Sequence, residues 1–141
     1  MSNPIFINLP AADLATSTRF YEALGCRKNE QFSDRTSSSM VWTDQVTHLM
    51  TRDYFQTFTT KPVGQAQDSV QVMVALAMDS REAVDRTVEV AGSAGGRADP
   101  REPKDLGFMY NRAVEDPDGY MFELIWMDPE GMAEELTQDA H

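Results

Sequence analysis

The chain has 141 residues, 41% hydrophobic and 25% charged, which is enough for one domain with its own core and excludes a disordered chain. Its formal net charge of −11, from 23 acidic and 12 basic residues, argues against nucleic acid and anionic membrane as partners, because both need a basic patch. Cys26 is the single cysteine, no apolar run reaches the ~20 residues of a membrane span, and no secretory signal opens the chain, so a cytoplasmic protein without disulfides is expected.

A strand is predicted over Ile5–Leu9, between Pro4 and Pro10, with Ile5, Ile7 and Leu9 on one face and Phe6 and Asn8 on the other. Asp13 caps a helix reaching Leu24, and Gly25 ends it. Two short strands follow, about Lys28–Phe32 and Ser39–Thr43, then a third over Val46–Thr51. Residues 52–67 read as irregular, with Tyr54, Phe55 and Phe58 either covering the end of the core or forming the lip of a cleft; burial is the commoner use of aromatics and favours cover. The pattern then repeats. Val70–Met78 is a strand, Asp79 and Glu82 make a capping-box-like helix start, and the helix stops at Gly95-Gly96. Arg97–Arg101 is a further strand and 103–107 a loop, before a hairpin of Met109–Glu115 with Tyr120–Trp126. The reading is therefore α+β: two tandem βαβββ modules, about 4–51 and 69–127, forming a curved mixed sheet in a single domain. Residues 52–68 connect the modules, and 128–141 form a short acidic tail with a turn or two of helix.

The hairpin holds the one chemical oddity. In Asp116-Pro117-Asp118-Gly119, Pro117 presets φ and Gly119 supplies the left-handed residue that closes the reversal. In the strand that follows, Met121, Glu123 and Ile125 share a face, which puts a carboxylate between two apolar neighbours. A three-residue loop with a Gly119 bulge pairs Asp116 with Tyr120, Ala113 with Glu123, and Asn111 with Ile125. An even-numbered loop would instead set Arg112 against Glu123; the first register is preferred because it packs Val114 on Phe122. Glu123 is then a metal ligand, a general base for a proton beside a carbonyl, or a structural carboxylate satisfied by Asn111, Asn8 or Arg112.

Two βαβββ units, Asn8-Leu9-Pro10 before Asp13, Phe20-Tyr21-x-x-Leu24-Gly25, and Asp116-Pro117-Asp118-Gly119-x-x-x-Glu123-Leu124 together resemble the vicinal oxygen chelate superfamily of glyoxalase I, bleomycin-resistance proteins and extradiol dioxygenases. The resemblance implies a ligand in the hollow of the sheet, a homodimer that completes the site, and in metal-dependent members a divalent ion held from four strands. Those four positions fall here on Phe6, on Leu49 beside His48, on Met73 and on Glu123, so one of four carries a matching donor. A one-residue shift in the fourth strand gives an incomplete set of His48, Gln71 and Glu123, and it would flip that strand's faces. The expectation is thus a small-molecule binding protein with a degenerate metal site, without a metal cofactor and with undetermined activity. Its hollow is lined by Phe6, Asn8, Met73, Asn111 and Met121, with Glu123 as candidate general base. The alternatives are a metal-dependent glyoxalase I-like lactoylglutathione lyase, which the metal set would serve, and a drug-binding resistance protein. His141 is expected to play no part.

Overall fold

The structure, a computed structural model, describes residues 3–130, so His141 and most of the acidic tail lie outside the described residues. In chain order it has β1 (Ile5–Ala11), α1 (Leu14–Leu24), β2 (Arg27–Lys28), β3 (Ser37–Trp42), β4 (Gln45–Thr51), α2 (Arg52–Gln56), β5 (Val74–Ala77), α3 (Arg81–Gly92), β6 (Arg97–Ala98), β7 (Lys104–Asp105), β8 (Met109–Glu115) and β9 (Met121–Met127). The strands form two open mixed sheets, ordered β1-β4-β3-β2 and β5-β9-β8-β6, with β7 also on β8. β1 runs parallel to β4 and β5 to β9; the other pairings are antiparallel. The α+β repeat is as expected, with α2 and β7 added to it.

Local signals place the first helix. The Asp13 side chain accepts from the Thr16 N–H, and Gly25 ends the helix at φ 118°, where a side chain would be strained. Its apolar stripe delivers Phe20, Tyr21 and Leu24 into a core shared with Met40, Leu49, Val84, Val88, Val114 and Leu124. α1 packs against α3, so one core serves both sheets, and each sheet keeps a second face turned away from the helices. Edge-to-face contact of Tyr21 with Phe20 and with Phe122, at 5.2 and 5.6 Å between centroids, ties the repeats together.

Four expectations need correction. The predicted strand Lys28–Phe32 stops at Lys28, because the Asn29 side chain accepts from the Gln31 N–H and caps a 3-10 turn over Glu30–Phe32. The strand begun at Val70 starts only at Val74: that residue pairs with Phe122, so anything before Met73 would lie opposite the 116–120 turn, which offers no ladder. Val70 and Val72 are consequently 61% and 70% exposed. The cap of α3 is Ser80, whose side chain accepts from the Ala83 N–H, and not Asp79. The segment after β4 is partly helical, since Thr51 caps α2; Tyr54 and Phe58 pack edge-to-face on each other and stay exposed, so they do not cover the core.

Candidate functional site

The hairpin has the register predicted from the three-residue loop: Ala113 faces Glu123, Asn111 faces Ile125 and Val114 faces Phe122. The Asp116 N–H donates to the Tyr120 carbonyl at 2.8 Å, and Gly119 takes φ 100°. The open face of the second sheet is therefore built from Met121, Glu123 and Ile125 of β9, Asn111 and Ala113 of β8, and Ala75 and Ala77 of β5, which pair with Glu123 and Ile125. Arg112 does not meet Glu123. It faces Leu124 on the helix side, where it is 8% exposed.

Glu123 is paired with a residue the sequence did not indicate. The Arg101 Nη2 donates to Glu123 Oε2 and to Asn111 Oδ1, both at 2.7 Å, and its Nη1 donates to the Glu102 carbonyl at 2.9 Å. Arg101 arrives there because β6 breaks after Ala98. Asp99 adopts φ 54°, a left-handed conformation that Asp tolerates better than most side chains, and Pro100 has no N–H for a ladder. The dipeptide Asp99-Pro100 is itself a turn signal, and reading it as one would have released Arg101 from the predicted strand. Of the amides expected near Glu123, Asn111 is there, joined through Arg101.

The first sheet carries the other expected lining residues. Asn8 pairs with His48, His48 pairs with Ser39, and the Phe6 and His48 rings lie 5.6 Å apart on the face away from the helix. Leu49 is 1% exposed in the core, so of the two fourth-strand readings His48 is the one on the open face. Met73, 52% exposed, and Gln71 both precede β5. No hydrogen bond, ion pair or ring contact among the described residues joins His48, Asn8, Phe6 or Gln71 to Glu123. Nor does any group of three or more His, Cys, Asp or Glu among them gather as a metal would require.

Two further charged clusters are structural in character. Beneath α3, the Arg112 Nε and Nη2 donate to Asp99 at 3.0 and 2.6 Å, Nη1 donates to Asp85 at 3.0 Å, and Nη2 also donates to Glu89 at 2.9 Å. Asp85 and Glu89 are one helical turn apart and share a face, so they approach the guanidinium together. At the repeat junction Tyr21 OH donates to Asp116 Oδ2 at 2.8 Å, while the Asp118 and Tyr120 N–H groups donate to Oδ1. Burial pushes the Asp116 carboxyl up to about 6, against the pull of those donors, and also lifts the Tyr21 hydroxyl well above its ordinary range. Asp116 borders a hollow of about 340 Å³ between Gly95-Gly96 and the turn, but its oxygens are already engaged there.

The sequence profile of the Glyoxalase/Bleomycin resistance protein/Dioxygenase superfamily matches residues 5–124. Among solved structures, a hypothetical protein of S. aureus is 24% identical with a TM-score of 0.72, over 89% of this chain and 92% of that one. A glyoxalase/bleomycin resistance protein/dioxygenase family enzyme of Burkholderia phytofirmans PsJN is 17% identical with a TM-score of 0.71, over 86% and 96%. The fosfomycin resistance protein FosX of Mesorhizobium loti is 19% identical with a TM-score of 0.62, over 94% and 97%. Among curated proteins none matches. With 120 consecutive positions under the profile and the fold shared with these structures, the chain belongs to the glyoxalase/bleomycin resistance protein/dioxygenase superfamily.

Proposed function

We propose that this protein binds a modest organic ligand on the open face of its second sheet, that its metal site is degenerate, and that Glu123 is the candidate general base there. The observation that carries the reading is the Arg101–Glu123 pair: one oxygen of the carboxylate at the family's metal position is 2.7 Å from a guanidinium. A divalent ion needs several oxygen or nitrogen donors converging on it, and an aromatic ring at Phe6, a thioether at Met73 and a committed carboxylate do not fit that requirement. Ala75, Ala77, Met121 and Ile125 supply an apolar floor around a few polar groups, the composition of a small-molecule site. Glu123 Oε1 makes no hydrogen bond among the described residues and is accessible, which suits a base acting on a proton beside a carbonyl.

A homodimer in the cytoplasm belongs to the same proposal. β1 and β5 are edge strands, and the exposed apolar residues on or next to them include Ile5, Phe6, Val70 and Val72, the kind of edge that another chain covers. In such a dimer Phe6, Asn8 and His48 of one copy would face the second-sheet hollow of the other. Light scattering at twice the 15.8 kDa chain mass is the expected result, and a monomer at all concentrations would remove the dimer.

Metal analysis of purified protein, with activity tested on a hemithioacetal, checks the main reading. Substoichiometric metal and no turnover are expected. Stoichiometric metal that is lost in Glu123→Ala, together with turnover, would replace this reading by the lactoylglutathione lyase. Fosfomycin resistance belongs to the Mesorhizobium loti neighbour, whose likeness at 19% identity supports the fold alone. Titration with cationic glycopeptides is expected to release no heat; saturable binding would favour a drug-binding protein.

A further inference from the structure

We infer that Arg101 is the anchor for the ligand, and that the ligand is a small organic carboxylate whose apolar body lies along Ala75, Ala77 and Ile125. The inference deepens the proposal above and rests on it, because it assumes that the open face of the second sheet is a ligand site.

The guanidinium is fixed before any ligand arrives. Nη2 spans Asn111 Oδ1 and Glu123 Oε2, and Nη1 is tied to the Glu102 carbonyl, so little side-chain freedom remains to be lost on binding. Of five guanidinium N–H groups these bonds use three. Nε–H has no protein partner among the described residues, and no side-chain nitrogen there is both buried and unpartnered, so that donor is accessible. It offers a ligand carboxylate oxygen one charge-assisted bond on a cation that is already held in place.

Local charge agrees with this choice. The chain as a whole is strongly acidic, which repels anions, yet this face carries a lysine without an ion-pair partner among the described residues. Arg97 is balanced by Glu115 at 3.8 Å and Arg101 by Glu123. Lys104 is left over: it pairs in register with Asn111, which puts its side chain on the same face, and it forms no ion pair among the described residues. A ligand carboxylate at Arg101 would supply the missing negative charge. A purely structural Arg101–Glu123 pair would account for neither the accessible Nε–H nor the unpaired lysine. The same arrangement explains how a fold that elsewhere uses a metal can hold an oxygen ligand with Phe6 and Met73 at the metal positions: the cation beside the retained glutamate is a side chain.

The test uses benzoate and its neutral analogue benzamide as probes, read by backbone amide shifts and calorimetry. Benzoate is expected to move the amides of Asn111, Ala113 and Glu123 and to bind at least tenfold more tightly than benzamide. Arg101→Gln should abolish that preference. Glu123→Gln, which keeps Arg101 but removes its competing carboxylate, should tighten benzoate severalfold. Equal affinity for both probes, unchanged in Arg101→Gln, overturns the anchor and leaves the organic-ligand proposal standing. Absence of any shift on these strands with either probe overturns both. A benzoate preference that survives Arg101→Gln and disappears in Lys104→Ala also overturns it, by moving the anchor to Lys104. Should Arg101→Gln fail to fold, Glu123→Gln decides alone, and unchanged or weaker benzoate binding there refutes the inference.

Discussion

Replacing Arg112 by Met keeps an unbranched side chain of similar reach beneath α3 and removes every donor. Four hydrogen bonds to three carboxylates disappear with it. The partners differ in shielding: the Asp99 side chain is 35% exposed, against 52% for Asp85 and 67% for Glu89. A shielded charge-assisted bond contributes ~1.5–3 kcal/mol, so the two-point contact with Asp99 is placed near that lower value. The two exposed partners are discounted to ~0.2–1 kcal/mol each. The methionine recovers some packing, and the three acids left behind repel one another. The expected loss is about 2–4 kcal/mol, which a mid-range urea slope of ~2 kcal/mol per M turns into a midpoint lowered by roughly 1–2 M. Trp42 and Trp126 report unfolding by fluorescence. The Tyr110 hydroxyl, and after it Arg112, hold the Asp85 carboxyl below its ordinary value of 3.8. That part of the stability is present above pH 3.8 and is lost as the pH falls through the lower folded value. The gap between wild type and Arg112→Met should therefore narrow at pH 2.5. A loss below ~1 kcal/mol at pH 7, or a gap of undiminished size at pH 2.5, would mean that Arg112 does not stabilise the fold through these carboxylates.

Asp116 has the opposite sign. Its folded pKa of about 6 lies above the ordinary 3.8, so the stability from its protonated form is full below pH 3.8 and is gone above pH 6. Asp116→Asn should accordingly gain relative to wild type as the pH rises from 4 to 7, and a difference independent of pH would exclude the mechanism. Burial pushes the Cys26 thiol up to about 12, so little thiolate is present and a disulfide exchange reagent should react with the native chain far more slowly than with the chain unfolded in urea; equal rates would contradict this. A methyl group at Gly96 would meet the Glu115 carbonyl and the Phe20 ring, so Gly96→Ala should destabilise by ~1–3 kcal/mol in the same urea assay, and a neutral result would show that α1 can move away.

What the sequence disclosed was what short-range chemistry controls. Asp13, Gly25 and the 116–119 turn state their own conformations, and the turn in turn set the register that put Ala113 opposite Glu123. Strand ends were not legible, because Val70 and Val72 have strand-forming side chains but no neighbour to pair with. Glu123 stood out as a charge on an apolar strand. Its partner did not, since Arg101 reaches it only through the left-handed backbone at Asp99. The partners of Arg112 were hidden for a similar reason: nothing about its own strand reveals that Asp85 and Glu89 project from α3 to meet it.

The final turn also fixes the timing of the fold. Asp118 accepts from the Ala12 N–H and from Ser17 Oγ, and Asp116 accepts from Tyr21, so the start and middle of α1 are fastened to residues about a hundred positions later. On a ribosome α1 can settle on β3 and β4 of its own repeat, but its fastening waits for the last hairpin, and closing so long a loop is slow. Chains released just before Glu115 should leave α1 unprotected from proteolysis although its own sequence is intact. Native-like protection of such a fragment would show that the first repeat folds without the clasp.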